Sequence, residues 1–221
     1  MKMLDKCFKL ILIPFLFLSS SCKNYGEPIN KEAAEFVFWD ILEKENSQDV
    51  DMNNCEFHFK NEKKYNSKQS RISYKKEVIR EKDKIYYYEY DSSLQEQKEI
   101  EYCIYKNSNR YYFVNMIKDE KKEITERSYQ SYFLGHTYYL YMADYRSIIY
   151  GALIDAKDDS LFYTLGPGNL YGKWQQNSLE YKYEVEYENY FLKQFNISFE
   201  SGKYNNVIFD YDNIKVDIPK L

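Results

Sequence analysis

The stretch Tyr181-Lys-Tyr-Glu-Val-Glu-Tyr-Glu188 decides the fold class of this chain. Bulky and charged residues alternate strictly along it, so one face of an extended strand carries the bulky side chains and the other face carries the charges. A helix does not have this period of two. The same alternation returns at Phe195, Ile197 and Phe199. Both segments therefore predict β-strands that are buried on one face.

Strands of the same kind are predicted elsewhere in the chain. Phe57 and Phe59 alternate with polar residues, and four further segments are rich in Tyr, Ile and Val. These segments are Arg71 to Arg80, Lys84 to Tyr90, Glu99 to Lys106 and Arg110 to Lys118. The spacers between them are short and polar, whereas a parallel crossover needs about a dozen residues, so we expect an antiparallel meander. Val207 to Pro219 predicts a closing strand, with Pro219 at the end of a sheet edge.

Two segments have the period of a helix instead. Lys31 to Glu45 predicts an amphipathic helix with Asn30 as its N-cap. Glu126 to Ser160 predicts one or two helices inserted between two halves of the sheet, with Asp144 opening an apolar helical stripe. The sequence thus predicts an α+β fold, in which residues 31–221 form one domain with an antiparallel sheet packed on an N-terminal helix and a central helical insert.

The first residues have the pattern of a secretory signal peptide. Lys2, Lys6 and Lys9 precede the apolar run Leu10 to Leu18, and three serines then lead to Cys22. The run covers about 14 Å as a helix, half of the hydrocarbon core, so it is too short for a membrane span. A cysteine directly after small residues resembles the bacterial lipobox. This resemblance implies a signal peptide at 1–21, cleavage between Ser21 and Cys22, and acyl chains such as palmitate on the Cys22 thiol.

An anchored lipoprotein on the extracytoplasmic side of the cell membrane is therefore expected, with residues 22–30 as a polar tether that contains Gly26 and Pro28. The alternative is an ordinary cleaved leader, in which Cys22 has no role. The net charge of −4 gives no basic surface for nucleic acid. Aromatic residues make up 19% of the chain, against 7 Gly and 4 Pro, which is typical of a folded domain and not of a disordered one.

Catalytic and metal-binding patterns are weak. Cys55 and Cys103 form either one disulfide or two reduced thiols. The two histidines, His58 and His136, are far apart in sequence, and the odd spacing between Cys55 and His58 puts them on opposite faces of a strand. We therefore expect no enzyme, no cofactor and no metal site.

The order of elements resembles the LolA/LppX-type lipoprotein-carrier family. The resemblance is carried by a lipidated cysteine, a helix, a meander, a helical insert, more strands and the ending Phe209-Asp-Tyr-Asp-Asn-Ile-Lys-Val-Asp-Ile-Pro219. It implies a curved antiparallel sheet, or half-open β-barrel, whose cleft against the helices holds a lipid or a lipidated protein. It supplies no catalytic residues.

The aromatic sheet face has two interpretations. Its candidate ligand-facing residues are Tyr181, Tyr183, Val185, Tyr187, Phe195, Ile197 and Phe199. They line a lipid-binding cleft in one interpretation, and they form the core under the helices in the other. Binding of a lipid or another amphipathic ligand is the predicted function. The alternative is a surface interaction or adhesion lipoprotein that contacts a partner protein through exposed tyrosines.

Overall fold

The computed structural model describes residues 26–46, 55–64, 73–93, 97–164, 169–176, 179–188, 191–199 and 204–218. The predicted signal peptide, its cleavage site at Ser21 and Cys22, and the first part of the tether lie outside these residues. The described part of the chain is an α+β fold that contains one 12-stranded antiparallel sheet and three helices. The predicted fold class is confirmed at this level, and the sheet is open.

The strands are β1 (Pro28–Ile29), β2 (Phe57–Lys64), β3 (Tyr74–Glu81), β4 (Lys84–Asp91), β5 (Lys98–Asn107), β6 (Arg110–Asn115), β7 (Glu120–Ile124), β8 (Leu161–Thr164), β9 (Leu170–Gln176), β10 (Leu179–Glu188), β11 (Phe191–Phe199) and β12 (Tyr204–Asp210). The helices are α1 (Lys31–Asn46), α2 (Glu126–Gly135) and α3 (Tyr138–Asp155).

The sheet consists of two meanders joined in the middle. Its strand order is β1-β8-β9-β10-β11-β12-β2-β3-β4-β5-β6-β7. Strands β2 to β7 form the first meander and β8 to β12 the second, as the short polar spacers predict. The two meanders meet where β12 pairs with β2 and Phe209 lies opposite Phe59. Strands β1 and β7 are the two edges of the sheet.

The helical insert begins at Glu126, as the sequence predicts, but its second helix begins earlier than expected. Two helices, α2 and α3, connect β7 to β8. Thr125 caps α2 by accepting the Ser128 N–H, and Thr137 caps α3 by accepting the Leu140 N–H. The prediction that Asp144 opens the second helix is wrong, because the hydroxyl of Thr137 satisfies an otherwise unpaired N–H of the first turn at that earlier point.

The predicted closing strand is also shorter than expected. β12 ends at Asp210, where the carboxylate accepts the Asp212 N–H at 3.0 Å and Asn213 takes a positive φ of 53°. This turn leads residues 214–218 away from the strand, and the Val216 N–H donates to Glu81 Oε2 at 2.9 Å. β12 pairs with β11 on one side and with β2 on the other, so it is an interior strand and not the predicted edge strand. Pro219 lies outside the described residues.

The three helices lie on one face of the sheet, which we call the inner face. Its main core joins α1 and α3 to the middle strands, with Phe38, Ile149, Phe59 and Phe195 among its fully enclosed side chains. A smaller core forms under α2, where Tyr129 and Phe133 pack on Ile85 and Ile104. On the opposite, outer face, Val216 covers Cys103, Tyr105 and Val114.

Part of the predicted tether belongs to the sheet. Pro28 and Ile29 form β1 and pair with Tyr163 and Phe162 of β8. The Gly26 N–H also donates to the main-chain oxygen of Thr164 at 3.3 Å. Among the described residues, no helix is both long and apolar enough to cross a membrane.

Candidate functional site

The candidate ligand-facing residues of β10 and β11 lie in the main core. Tyr183, Val185, Tyr187, Phe195 and Ile197 are all buried against the helices. The hydroxyl of Tyr183 donates to the main-chain oxygen of Ile149 in α3 at 3.4 Å. Tyr181 and Phe199 are paired in register at the other end of these strands, and their side chains lie outside the described part of the structure. This region of the inner face is therefore filled by the protein's own helix.

A pocket of about 390 Å³ opens farther along the inner face, which we call the α2–α3 pocket. It lies between the junction of the two helices and strands β3 to β5. The sheet contributes Lys76, Tyr87, Glu89, Lys98, Ile100 and Tyr102 to its wall. The helix junction contributes Gly135, His136, Leu140 and Tyr141.

Strand register explains why the polar residues of the wall meet. Lys76 of β3 lies opposite Glu89 of β4, and Glu89 lies opposite Ile100 of β5. Tyr87 lies opposite Tyr102 in the same way, and their rings stack at 4.8 Å. Residues that face each other in an antiparallel pair project to the same side of a sheet. These five side chains therefore share the inner face.

A histidine between two tyrosines forms the floor of the pocket. The hydroxyl of Tyr102 is hydrogen-bonded to His136 Nε2 at 2.7 Å, and the hydroxyl of Tyr141 to His136 Nδ1 at 2.6 Å. Burial, with Lys76 and Arg80 nearby, lowers the pKa of His136 to about 4. Burial also raises the pKa of both tyrosines above its usual value. At neutral pH all three groups are uncharged.

Charged groups surround this floor. Glu89 accepts hydrogen bonds from the Tyr87 hydroxyl and from Lys98 Nζ, the latter at 3.4 Å. Lys76 Nζ lies 5.6 Å from the ring centroid of Tyr87 and 4.9 Å from that of Tyr141, within the range of cation–π attraction. The wall of the pocket thus carries two ammonium groups and one carboxylate.

Two apolar side chains also line the pocket. Ile100 lies beside Glu89 and Lys98 on the sheet side, and it is half-buried. Leu140 lines the helix side and is 47% exposed. A pocket lined by both polar and apolar side chains suits a ligand that has both kinds of surface.

The other residues considered for catalysis lie apart from this pocket. His58 is hydrogen-bonded through Nε2 to Glu77 Oε1 at 2.7 Å, and its register partner is Ile79, whose side chain packs into the outer-face core. That hydrogen bond lowers the pKa of Glu77 despite its partial burial. Cys55 and Cys103 are free thiols, so the disulfide is not formed. No group of His, Cys, Asp and Glu residues suited to a metal ion occurs in the described ranges.

The sequence analysis missed the polar members of the pocket. His136 was considered only as a catalytic residue, and Lys76 and Glu89 were not singled out. One signal was available. Lys76 is two residues from the buried Val78 in the same strand, so both side chains lie on the same face. A charged residue on a buried face is unusual. Nothing local indicates that the helix junction meets these strands.

Comparison with known proteins adds no family assignment. The chain matches no protein-family model and no curated protein.

Proposed function

We propose that the protein is an extracytoplasmic lipoprotein, held in the cell membrane by acyl chains on Cys22, that binds a lipid or another amphipathic ligand in the α2–α3 pocket. The observation that carries the binding proposal is that a hydrogen-bonded polar floor and the apolar side chains of Ile100 and Leu140 line one pocket of about 390 Å³. Small-molecule sites are typically about 300 to 1,000 Å³ and combine an apolar lining with a few polar groups.

The anchor would hold this domain close to the bilayer. Three residues separate Cys22 from Gly26, where pairing with β8 begins, so the two Cα atoms are four steps apart along the chain. A fully extended chain advances about 3.3 to 3.6 Å per residue, so this segment spans no more than about 14 Å. Two acyl chains on one residue suffice for stable anchoring, because each buried CH₂ contributes about 0.8 kcal/mol.

The finer architecture in this proposal is that of the LolA/LppX-type carriers. The open sheet with helices on one face and the order of the elements support this likeness. In this view the sheet curves around α3 as a half-open barrel. The ligand enters beside the filled core and not through the middle of the sheet, because the middle is occupied by α3.

The anchor is tested by metabolic labelling with radioactive palmitate in a bacterial host that processes lipoproteins. The wild-type chain should incorporate label, and Cys22→Ser should lose it. Cys7→Ser is the matched control, because this cysteine lies within the leader and is removed with it. Label that persists in Cys22→Ser would refute acylation at this residue.

Ligand binding is tested on residues 23–221, which are the mature chain without its acylated Cys22 and contain every described residue. A fluorescent acyl probe should bind, and organic extraction of the purified protein should release co-bound lipid. Leu140→Gln should weaken probe binding, because it replaces an apolar side chain of the pocket lining with an amide. Leu161→Gln is the matched control, since Leu161 is similarly exposed but lies in β8. The binding proposal fails if no probe binds and no lipid is extracted.

A second candidate function, contact with a partner protein at the cell surface, is favoured by one observation. Phe36 is 75% exposed and Trp39 is 50% exposed on the outward side of α1. Large aromatic residues are enriched at protein contacts. A photoreactive phenylalanine analogue at position 36 should give a discrete crosslinked species on cells, and the same analogue at position 161 should not. Equal crosslinking at both positions, or none, would contradict this function.

A further inference from the structure

We infer that the α2–α3 pocket selects ligands with an oxyanion headgroup, either a carboxylate or a phosphate. This inference rests on the proposed binding of an amphipathic ligand and names the chemistry of its polar end. It is carried by the hydrogen bonds of the pocket floor and by the charges of its wall.

The floor has one more donor proton than it uses internally. A neutral His136 has one N–H, and Tyr102 and Tyr141 each have one O–H, whereas only two hydrogen bonds join the three groups. In one tautomer Tyr141 donates to His136 and the Tyr102 proton is left over. In the other tautomer Tyr102 donates and the Tyr141 proton is left over. Within the described residues neither hydroxyl has another partner, so each tautomer presents one hydroxyl donor at the pocket floor.

The charges of the wall favour the same kind of ligand. Lys76 and Lys98 bring two positive charges, and Glu89 brings one negative charge that already accepts from Tyr87 and Lys98. Arg80, which is buried directly behind the helix junction, adds a further positive charge by donating to the main-chain oxygen of His136. A cationic headgroup would lie beside the ammonium groups of Lys76 and Lys98, and the carboxylate of Glu89 already accepts from Tyr87 and Lys98. An oxyanion would accept both the hydroxyl and ammonium donors.

The geometry also orients the ligand. The spare donor belongs to Tyr102 or Tyr141, which hold the buried His136 between them, whereas Leu140 is half-exposed. An amphiphile therefore enters with its headgroup first. Its chain then lies against Ile100 and Leu140, between β5 and α3.

The test compares amphiphiles that share one chain length and differ in charge. Dodecanoate, dodecyl phosphate, dodecylammonium and dodecyl maltoside are titrated against the mature chain at pH 7.5, below their micelle-forming concentrations. Either anionic probe should bind at least about tenfold more tightly than dodecylammonium, and tenfold corresponds to about 1.4 kcal/mol. Equal affinity for all four probes, or preference for the cation, would overturn the inference while the proposed function stands. Binding of none would overturn the proposed function itself.

Free anions are tested separately. Inorganic phosphate and acetate are added as competitors of dodecanoate. If either displaces dodecanoate at submillimolar concentration, the pocket recognises the oxyanion without the chain, which supports the headgroup inference and contradicts the amphipathic ligand. If only the amphiphilic anions bind, both proposals are supported.

Variants locate the selectivity in the pocket. Lys98→Met and Tyr102→Phe should each reduce the preference for dodecanoate over dodecylammonium several-fold. Lys75→Met and Tyr88→Phe are matched controls, because both residues lie on the same sheet but do not line the pocket. Lys75 is paired with Glu77, and Tyr88 is hydrogen-bonded to Glu99. Both controls should keep the full preference. A preference that survives both pocket variants would overturn the assignment to this pocket.

Discussion

Arg80 Nη1 donates to the main-chain oxygen of His136 at 2.9 Å. This contact joins β3 to the junction between α2 and α3, and it places a buried positive charge beside the histidine of the pocket floor. The Arg80 guanidinium also lies 5.4 Å from the ring centroid of Phe133, so it packs against α2 as well. One side chain thus fixes the position of the helix junction over the sheet.

Replacement of this arginine should loosen the junction. Arg80→Met leaves the buried carbonyl of His136 without its donor, which costs about 1 to 3 kcal/mol of unfolding free energy. The pKa of His136 should rise, because one of the cations that lowers it is removed. Urea unfolding and an NMR titration of the His136 ring measure the two effects. Lys75→Met removes a cation that is paired with Glu77, and it should leave the pKa of His136 unchanged.

Stability should fall as the pH is lowered from about 6.5 to 4. The folded state lowers the pKa of His136 from 6.5 to about 4, so in this window the unfolded chain binds a proton that the folded chain does not. The stabilisation is complete above pH 6.5 and is lost toward pH 4, by about 3 kcal/mol at most. Denaturant unfolding at several pH values measures the slope.

His136→Gln should flatten that slope, whatever its effect on stability at pH 7. The chain's other histidine gives the matched control, His58→Gln, which should leave most of the slope between pH 5 and 6.5 in place. A slope that is unchanged in His136→Gln would show that other groups produce the pH dependence.

Gly172 should not tolerate a side chain. A Cβ atom at this position of β9 would lie 2.5 Å from the ring of Phe162 in the main core. Gly172→Ala should therefore destabilise the protein by about 1 to 3 kcal/mol, because a buried ring must move. In contrast, a Cβ at Gly151 in α3 meets no atom within 4 Å. Gly151→Ala should stabilise the protein by about 0.5 to 1 kcal/mol through helix propensity, and thermal unfolding distinguishes the two variants.

The two thiols should react at very different rates. Cys103 is buried, and this burial raises the pKa of its thiol to about 12. Cys55 is only partly buried, although its pKa is raised as well. Iodoacetamide at pH 8 should label Cys55 first and Cys103 only on unfolding, since the thiolate is the reactive form. Mass spectrometry after digestion measures both. If neither residue is labelled in denaturant until a reductant is added, the protein contains the disulfide instead.

The hydrophobic periodicity of the sequence predicted the type of an element correctly where one face of that element is buried. The alternation at 181–188 and the stripe of the helical insert correspond to β10 and to α3. The edge strand β7 was missed because its residues are exposed on both faces, so its sequence Glu-Lys-Lys-Glu-Ile has no apolar alternation. Strand β8 was missed because it has only 4 residues, and β9 was missed because Gly172 interrupts its pattern.

The candidate site could not be predicted in the same way. Its floor brings together Tyr102 of β5, His136 of the helix junction and Tyr141 of α3. Local periodicity shows which residues of a strand share a face, but it does not show which loop covers them. The aromatic residues of β10 and β11 were considered for the same role, and they are buried under α3 because a helix also requires an apolar surface to pack on.

The pairing of β12 with β2 has a consequence for folding during synthesis. A ribosome makes the chain from its amino end, so β2 is made long before the strand that completes its hydrogen bonds. Until then the main-chain N–H and C=O groups on one side of β2 and of β11 are unpaired, and they can pair with a wrong strand. Formation of the central sheet must await the last part of the chain, and such distant contacts form slowly. Newly made molecules should therefore depend on a holding chaperone more than a protein of equal size in which each strand pairs only with its neighbours in sequence.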